Sequence, residues 1–259
     1  MDMEIDLNAD LGEGYGPWRM GDDAALLAEL SSANVACGFH AGDPSLMTST
    51  VRTALQRGVD IGAHVGYDDR QGFGRRVIAM EWGDLSALVS YQLGALAGIC
   101  RVEGARMTHM SFHGALGNQV AADTALADAL VGTVAAFDPG LIISTSSSQA
   151  IEQAAARHGL RTALSFLADR AYDDNGLLVS RQQAGAVIHD EQAVLARVRR
   201  LLTDGTVLTH SGRSLPMPAR SILVHGDTPG ALRLARAVRS AILDAGGRVV
   251  PLTRQAGLG

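Results

Sequence analysis

Short apolar runs alternate with longer amphipathic ones from one end of this 259-residue chain to the other. That alternation is what most limits its fold. Strand signals fall at 5–13, 32–37, 59–63, 107–112, 141–144, 162–166, 221–224 and 248–252. Helical patterns fall between them at 24–30, 44–57, 84–103, about 114–137, 149–158, 191–204 and 229–245. Strands that alternate with helices of this length imply parallel βαβ units. No Pro/Ser-rich linker or charge run interrupts the series. It therefore predicts one (β/α) barrel domain over residues 1–259 with seven or eight parallel strands, and a doubly wound open sheet is the alternative.

Composition narrows the function. The net charge is -5, which argues against nucleic acid or an anionic membrane as partner. All 22 basic residues are arginines. Without lysine there is neither Schiff-base chemistry nor a P-loop, whose phosphate grip needs Lys. Cys37 and Cys100, the two cysteines, lack the spacing of a thiolate metal site, and a reducing compartment fits them. Cys37 reads as a small buried residue. The opening Met1-Asp2-Met3-Glu4 is acidic, unlike a signal peptide. The uncharged run 85–100 is shorter than a membrane span. The expected location is the cytoplasm. Neither G-x-S-x-G nor G-x-G-x-x-G is present, so a hydrolase elbow and a dinucleotide site lack support.

Two features point to a site. The first strand carries Asp6, Asn8, Asp10 and Glu13, acceptor-rich groups where a solvated strand face would hold Thr, Lys or Ser. Clustered carboxylates raise one another's pKa, so this end suits acid/base work, a metal cradle or a cation anchor, with helix or turn capping as the plain alternative. The second feature is four histidines, His40, His64, His113 and His225, each just after an apolar run and beside glycine. In parallel α/β folds the strand C-termini share one face, so these side chains should converge there. His109, His158, His189 and His210 lack that context and read as surface or structural residues. Asp43 and Asp227 are placed to orient imidazoles or to cap helices. Arg170 is placed to clamp a substrate carboxylate, or else to pair with Asp169 or Asp173.

Several stretches together resemble the LamB/YcsF family, which includes the A subunit of ATP-dependent 5-oxoprolinase. They include Ile5-Asp6-Leu7-Asn8, Asp10-Leu11-Gly12-Glu13, the run from Ser32 to Pro44 ending Cys37-Gly38-Phe39-His40-Ala41-Gly42-Asp43-Pro44, and Gly62-Ala63-His64. Gln71-Gly72-Phe73-Gly74-Arg75-Arg76, Tyr91-Gln92-Leu93-Gly94-Ala95-Leu96, His113-Gly114-Ala115-Leu116, Ala168-Asp169-Arg170-Ala171-Tyr172, Gly185-Ala186-Val187-Ile188 and Val224-His225-Gly226-Asp227 complete the set. The resemblance implies an irregular (β/α) barrel similar to the glycoside hydrolase/deacetylase group. It also implies opening of the 5-oxoproline lactam to glutamate with ATP hydrolysis, Mg²⁺ accompanying the nucleotide, and B and C partner subunits that share the ATP site. A homo-oligomer is left open. The chain departs from the family at Ser111-Phe112, where Lys-Pro is usual, at Val65 for proline and at Gly117 for tyrosine before Asn118. The first departure removes a cation from a strand end beside the site.

On this reading Asp10, Glu13, His40, His64 and His113 supply acid/base catalysis. Asp6, Asn8, Asp43, Asn118, Arg170, His225 and Asp227 surround the substrate. A rival reading is a metal-dependent amide hydrolase with Asp10, His40 and His64 as ligands of a divalent ion. Another is a non-catalytic paralogue that binds a small carboxylate.

Overall fold

The computed structural model describes residues 3–146, 148–228 and 230–258. Met1 and Asp2 of the acidic opening, and Pro229 at the expected start of the last helix, lie outside the described residues. The strands run β1 (Glu4–Leu11), β2 (Ser32–Ala36), β3 (Asp60–Val65), β4 (Met107–Phe112), β5 (Ile142–Thr145), β6 (Arg161–Leu167), β7 (Thr206–Leu208), β8 (Ser214–Pro216), β9 (Ser221–His225) and β10 (Arg248–Val249). β1 to β6 are neighbours in order, β6 pairs with β9, and β9 pairs with β1. Seven parallel strands thus close a barrel, which removes the open-sheet alternative. β7 and β8 form a separate antiparallel hairpin that the alternation did not predict. The last strand is only two residues long and extends the N-terminal end of β1 outside the closed ring.

The helices are α1 (Asp23–Leu26), α2 (Pro44–Arg57), α3 (Trp82–Glu103), α4 (Gly114–Ala122), α5 (Thr124–Phe137), α6 (Gln149–His158), α7 (Glu191–Asp204) and α8 (Ala231–Asp244). Pro44 starts α2 after the Asp43 cap, and Gly58 ends it in the left-handed region, φ 67°. Two expectations change. The first helix is a single turn. The expected 114–137 helix breaks at Asp123, whose carboxylate caps α5 through the Ala125 and Leu126 amides, and the two halves bend by 117°. At 22 residues α3 is longer than the uncharged run suggested, and by length and composition alone it could cross a membrane. Its Leu85, Val89, Leu93 and Leu96 face is buried in the barrel core, so it serves as a barrel helix.

The alternation in β1 has a cause other than a solvated face, because its polar and its apolar residues are both buried. Leu7, Ala9 and Leu11 join the apolar core shared with the helices. Asp6, Asn8 and Asp10 point into the barrel. Asp6 accepts the Ser31 and Ser221 hydroxyls, each at 2.6 Å. One layer up, Asn34 Oδ1 accepts from Asn8 Nδ2 at 3.3 Å and meets His109 Nε2 at 3.1 Å. Asn34 Nδ2 donates to Asp10 Oδ1 at 2.8 Å. Gly62 on β3 makes room for the His109 ring, since a Cβ there would lie 2.2 Å from it. The interior is a hydrogen-bonded polar column in place of the branched aliphatic layers usual in such barrels. It rises toward the strand C-termini.

Candidate active site

The barrel mouth collects side chains from six places in the chain. β1 delivers Asp10 and then Glu13, the loop after β2 His40, β3 His64, and the end of β4 His113. The end of β6 brings Asp169, and β9 brings His225. The parallel register sets Asp10 beside His225. A cavity of about 530 Å³ opens here, and Asp10, His64, His113 and His225 all line it.

His113 is the hub. Its Nε2 lies 2.7 Å from the carbonyl oxygen of Phe73, which can only accept, so Nε2 carries the proton. In the neutral ring Nδ1 is then the bare nitrogen, and His64 Nε2, 2.9 Å away, donates to it. The other His64 nitrogen, Nδ1, meets the Ser111 hydroxyl at 2.7 Å. Thus Ser111, on β4, supports His64. Phe73 sits at φ 53°, a strained backbone for a side chain of its size, in the turn that aims this carbonyl. The His40 ring stacks on His113, centroids 3.8 Å apart and planes within 9°. Behind them Glu13 Oε1 lies 3.2 Å from His40 Nε2 and 3.7 Å from His113 Nδ1.

Burial dominates the electrostatics. It raises the Glu13 carboxyl well above its usual range, with the charge of Asp10 adding to the effect. It holds His40 and His113 well below theirs, assisted by neighbouring histidines, and His64 down to about 3. The cluster is therefore neutral imidazole around a carboxyl that resists ionisation. Burial also raises Asp10, against the pull of His225 and the Asn34 hydrogen bond. Its Oδ2 stands 3.5 Å from His64 Nε2 and is the least encumbered carboxylate oxygen facing the cavity. His225 is the exception among these histidines. Burial pulls its pKa down, but the Asp169 carboxylate, with Oδ1 and Oδ2 at 2.7 and 2.9 Å from Nδ1, outweighs this and raises it.

The other expected residues divide. Asn118 lines the cavity from α4. Asp6 and Asn8 lie below it in the polar column, because successive inward residues of a strand step down the barrel axis. Asp43 orients no imidazole: its carboxylate is taken up by the Leu46 amide at the α2 N-terminus and by the Gly16 amide. The carboxylate behind His225 is Asp169, while Asp227 pairs with Arg75 at 2.9 Å. Arg170 reaches the cavity wall but is 3% exposed, with its guanidinium bonded to the Val179 and Ala186 carbonyls rather than to Asp169 or Asp173. His109 is structural. Cys37 is buried, its thiol pushed up to about 12. Asp169, which the sequence offers only as a partner for Arg170, stands two residues beyond β6, and its place just after a strand was the signal for it. Arg75, Arg181 and the Phe73 carbonyl arrive from loops and carry no such signal.

Glu13, His40, His64 and His113 form a buried quartet whose ligand atoms lie within 4.8 Å of one another, and this set could hold a divalent metal ion. One carboxylate and three imidazoles fit the chemistry of Zn²⁺ or a similar borderline ion. The set differs from the expected Asp10, His40 and His64, because Asp10 spends Oδ1 on Asn34 and stands to one side.

The sequence profile of the LamB/YcsF family matches residues 5–257. A protein of Ralstonia nicotianae, named as the second of that organism's 5-oxoprolinase A subunits, is 68% identical over 98% of each chain. One of Pseudomonas syringae pv. tomato, named as the first of its 5-oxoprolinase A subunits, is 61% identical over 98% of this chain and 100% of that one. The crystal structure of a lactam utilization protein from Thermus thermophilus superposes with TM-score 0.89 at 39% identity, covering 96% of this chain and 99% of that one.

Proposed function

The chain belongs to the LamB/YcsF family, and on that premise we propose that it is the A subunit of an ATP-dependent 5-oxoprolinase, opening 5-oxo-L-proline to L-glutamate. The observation that carries this reading is the convergence of Asp10, His64, His113 and His225 on one cavity. A five-membered lactam is a weak electrophile. ATP, accompanied by Mg²⁺ and bound in part by the B and C subunits, activates it by phosphorylating the amide oxygen. The names of the relatives, which designate one lettered component of 5-oxoprolinase, support a multi-subunit enzyme. The lysine-free sequence supports a nucleotide grip that is shared with partners.

Within this chain Asp10 Oδ2 takes a proton from water as its oxygen adds to the activated carbon. Its raised affinity for protons makes it a stronger base than an exposed carboxylate. The carbon–nitrogen bond then breaks, the ring nitrogen leaves as the amine, and the γ-glutamyl phosphate so formed is hydrolysed by a second water to glutamate and inorganic phosphate. His225, whose hold on a proton Asp169 strengthens, supplies the proton that nitrogen needs. His64, held by His113 and Ser111 and 3.5 Å from Asp10 Oδ2, positions that carboxylate, with Glu13 and His40 fixing His113 from behind. The chain works as one barrel domain in the cytoplasm. The test is ATP-dependent glutamate release from 5-oxoproline by the chain with its B and C subunits. Asp10→Asn and His64→Ala should each lower it by about 100-fold or more, and undiminished release from both overturns the reading.

A second reading rests on the Glu13–His40–His64–His113 quartet: a metal-dependent amide hydrolase. An ion bound there would polarise an amide oxygen or a water. Metal analysis of the purified chain decides it: about one equivalent supports the ion, and less than about a tenth ends it.

A further inference from the structure

Among the described residues three arginines line the cavity: Arg75, Arg170 and Arg181. Two are committed. Arg75 is paired with Asp227, and the Arg170 guanidinium is tied to backbone carbonyls. Among the described residues Arg181 makes one side-chain hydrogen bond, from Nη2 to His225 Nε2 at 3.3 Å, and no ion pair. The residue is exposed at the mouth, its guanidinium is in part desolvated against the wall, and the Asp169, Asp227 and Asp10 charges act on it without an ion pair. A guanidinium left in that state favours an anion, which it can grip with two parallel N–H bonds. The Ser144 and Ser165 hydroxyls, which line the same cavity, pair at 2.8 Å. That pair uses one hydroxyl proton and leaves the other for a ligand. Asp10 lines the same cavity and repels an anion from its own position.

We propose that Arg181 is the residue that recognises the substrate's carboxylate, so that a lactam acid lies with its carboxylate at Arg181 and its amide carbonyl toward Asp10 and His64. The inference rests on the lactam-opening reading and deepens it. It also assigns Arg170 a different part: its bond to the Val179 carbonyl anchors the loop that carries Arg181, two residues on. Arg181 is a specificity residue and Arg170 a positioning one. Docking of the carboxylate draws Arg181 off His225 Nε2, which frees that nitrogen to carry a proton.

The test compares L-5-oxoproline with 2-pyrrolidinone, the same lactam without its carboxylate. Both are titrated into the purified chain by calorimetry, and both are assayed with the B and C subunits, for wild type, Arg181→Met and Arg181→Lys. Removing a charged hydrogen-bonding partner should weaken 5-oxoproline binding by about 10- to 100-fold and raise KM far more than it lowers kcat. Binding of 2-pyrrolidinone should stay as it was. Arg181→Lys should restore part of the loss, because charge returns without the bidentate fork. Wild-type discrimination between the two lactams in Arg181→Met overturns the proposal. If the wild type binds the acid through Arg181 yet releases no glutamate in the complex, the activity reading falls and the carboxylate site stands. If the wild type turns over 5-oxoproline and Arg181→Met matches it, the reverse holds. If the wild type neither binds nor converts the acid, both fall.

Discussion

His64 Nε2 and His113 Nδ1 lie 2.9 Å apart, and the Phe73 carbonyl on the far side of His113 determines which of them carries the shared proton. Both rings are buried, and burial holds both below the usual histidine range. Nitrogen-15 NMR at neutral pH should therefore show two neutral rings, each protonated at Nε2. A metal at the quartet would strip that proton from His64, so the same spectrum separates the two readings.

Ser111 supports His64 from the β4 side. Ser111→Ala should cost about 1 kcal/mol of stability, the value of one hydrogen bond, and should lower glutamate release by less than His64→Ala does. A melting curve and the coupled assay check the two halves separately. An unchanged rate would mean that the orientation of His64 does not limit turnover.

Asp10 must be ionised to act as a base, and burial raises its pKa. Activity should fall with decreasing pH through a value above the ordinary carboxylate range. Asn at this position keeps an oxygen for Asn34, so Asp10→Asn should remain folded while losing that acid limb along with most of its rate. The pH–rate profile of kcat/KM reads this directly.

Asp6 gives the opposite kind of signal, in stability rather than rate. Its carboxyl is raised from 3.8 to about 6, chiefly by burial and against hydrogen bonds from Ser221 and Ser31. The folded state therefore holds this proton more tightly than the unfolded chain. Its contribution to stability is complete below about pH 4 and is lost as pH rises through 6, a swing of about 3 kcal/mol as an upper figure. Asp6→Asn has no such group to ionise. The difference in unfolding free energy between variant and wild type should widen in the variant's favour from pH 4 to pH 7, and a flat difference would refute the assignment.

Gly74 precedes Arg75 in the turn that shapes the mouth. It sits at φ +61°, and a Cβ there would lie 2.8 Å from both His113 Cδ2 and His40 Cβ. Gly74→Ala should destabilise the fold by about 1–3 kcal/mol and separate the stacked imidazoles, lowering activity beyond what the melting shift explains.

The architecture was largely legible because strand and helix periods differ and each β-unit repeats the contrast. The histidines were legible because a strand's last residue is also its most exposed to the mouth. Three things were hidden for physical reasons. Alternation in β1 looks the same whether the polar face meets water or a polar barrel interior, so the pattern does not reveal that Asp6 and Asn8 lie beneath the cavity. Asp43 and Asp227 stand near histidines in sequence, but an aspartate before a helix is drawn to the amides, and one beside a free arginine to the guanidinium. Arg170 looked like a clamp because it follows a strand, whereas the clamp we infer comes from a loop whose path depends on tertiary bonds that no local pattern encodes.

The parallel pairing of β1 with β9 has a consequence for how the protein is made. Asp10 and His225 are register partners, yet they stand far apart in the sequence, so Asp10 leaves the ribosome well before His225. Until β9 docks, β1 and β6 are open sheet edges and the polar column between them faces solvent. Non-local closure of this kind is slow relative to local helix formation. The chain therefore holds Asp10 and His225 apart until β9 is made, and the event that seals the barrel is the one that first brings them together.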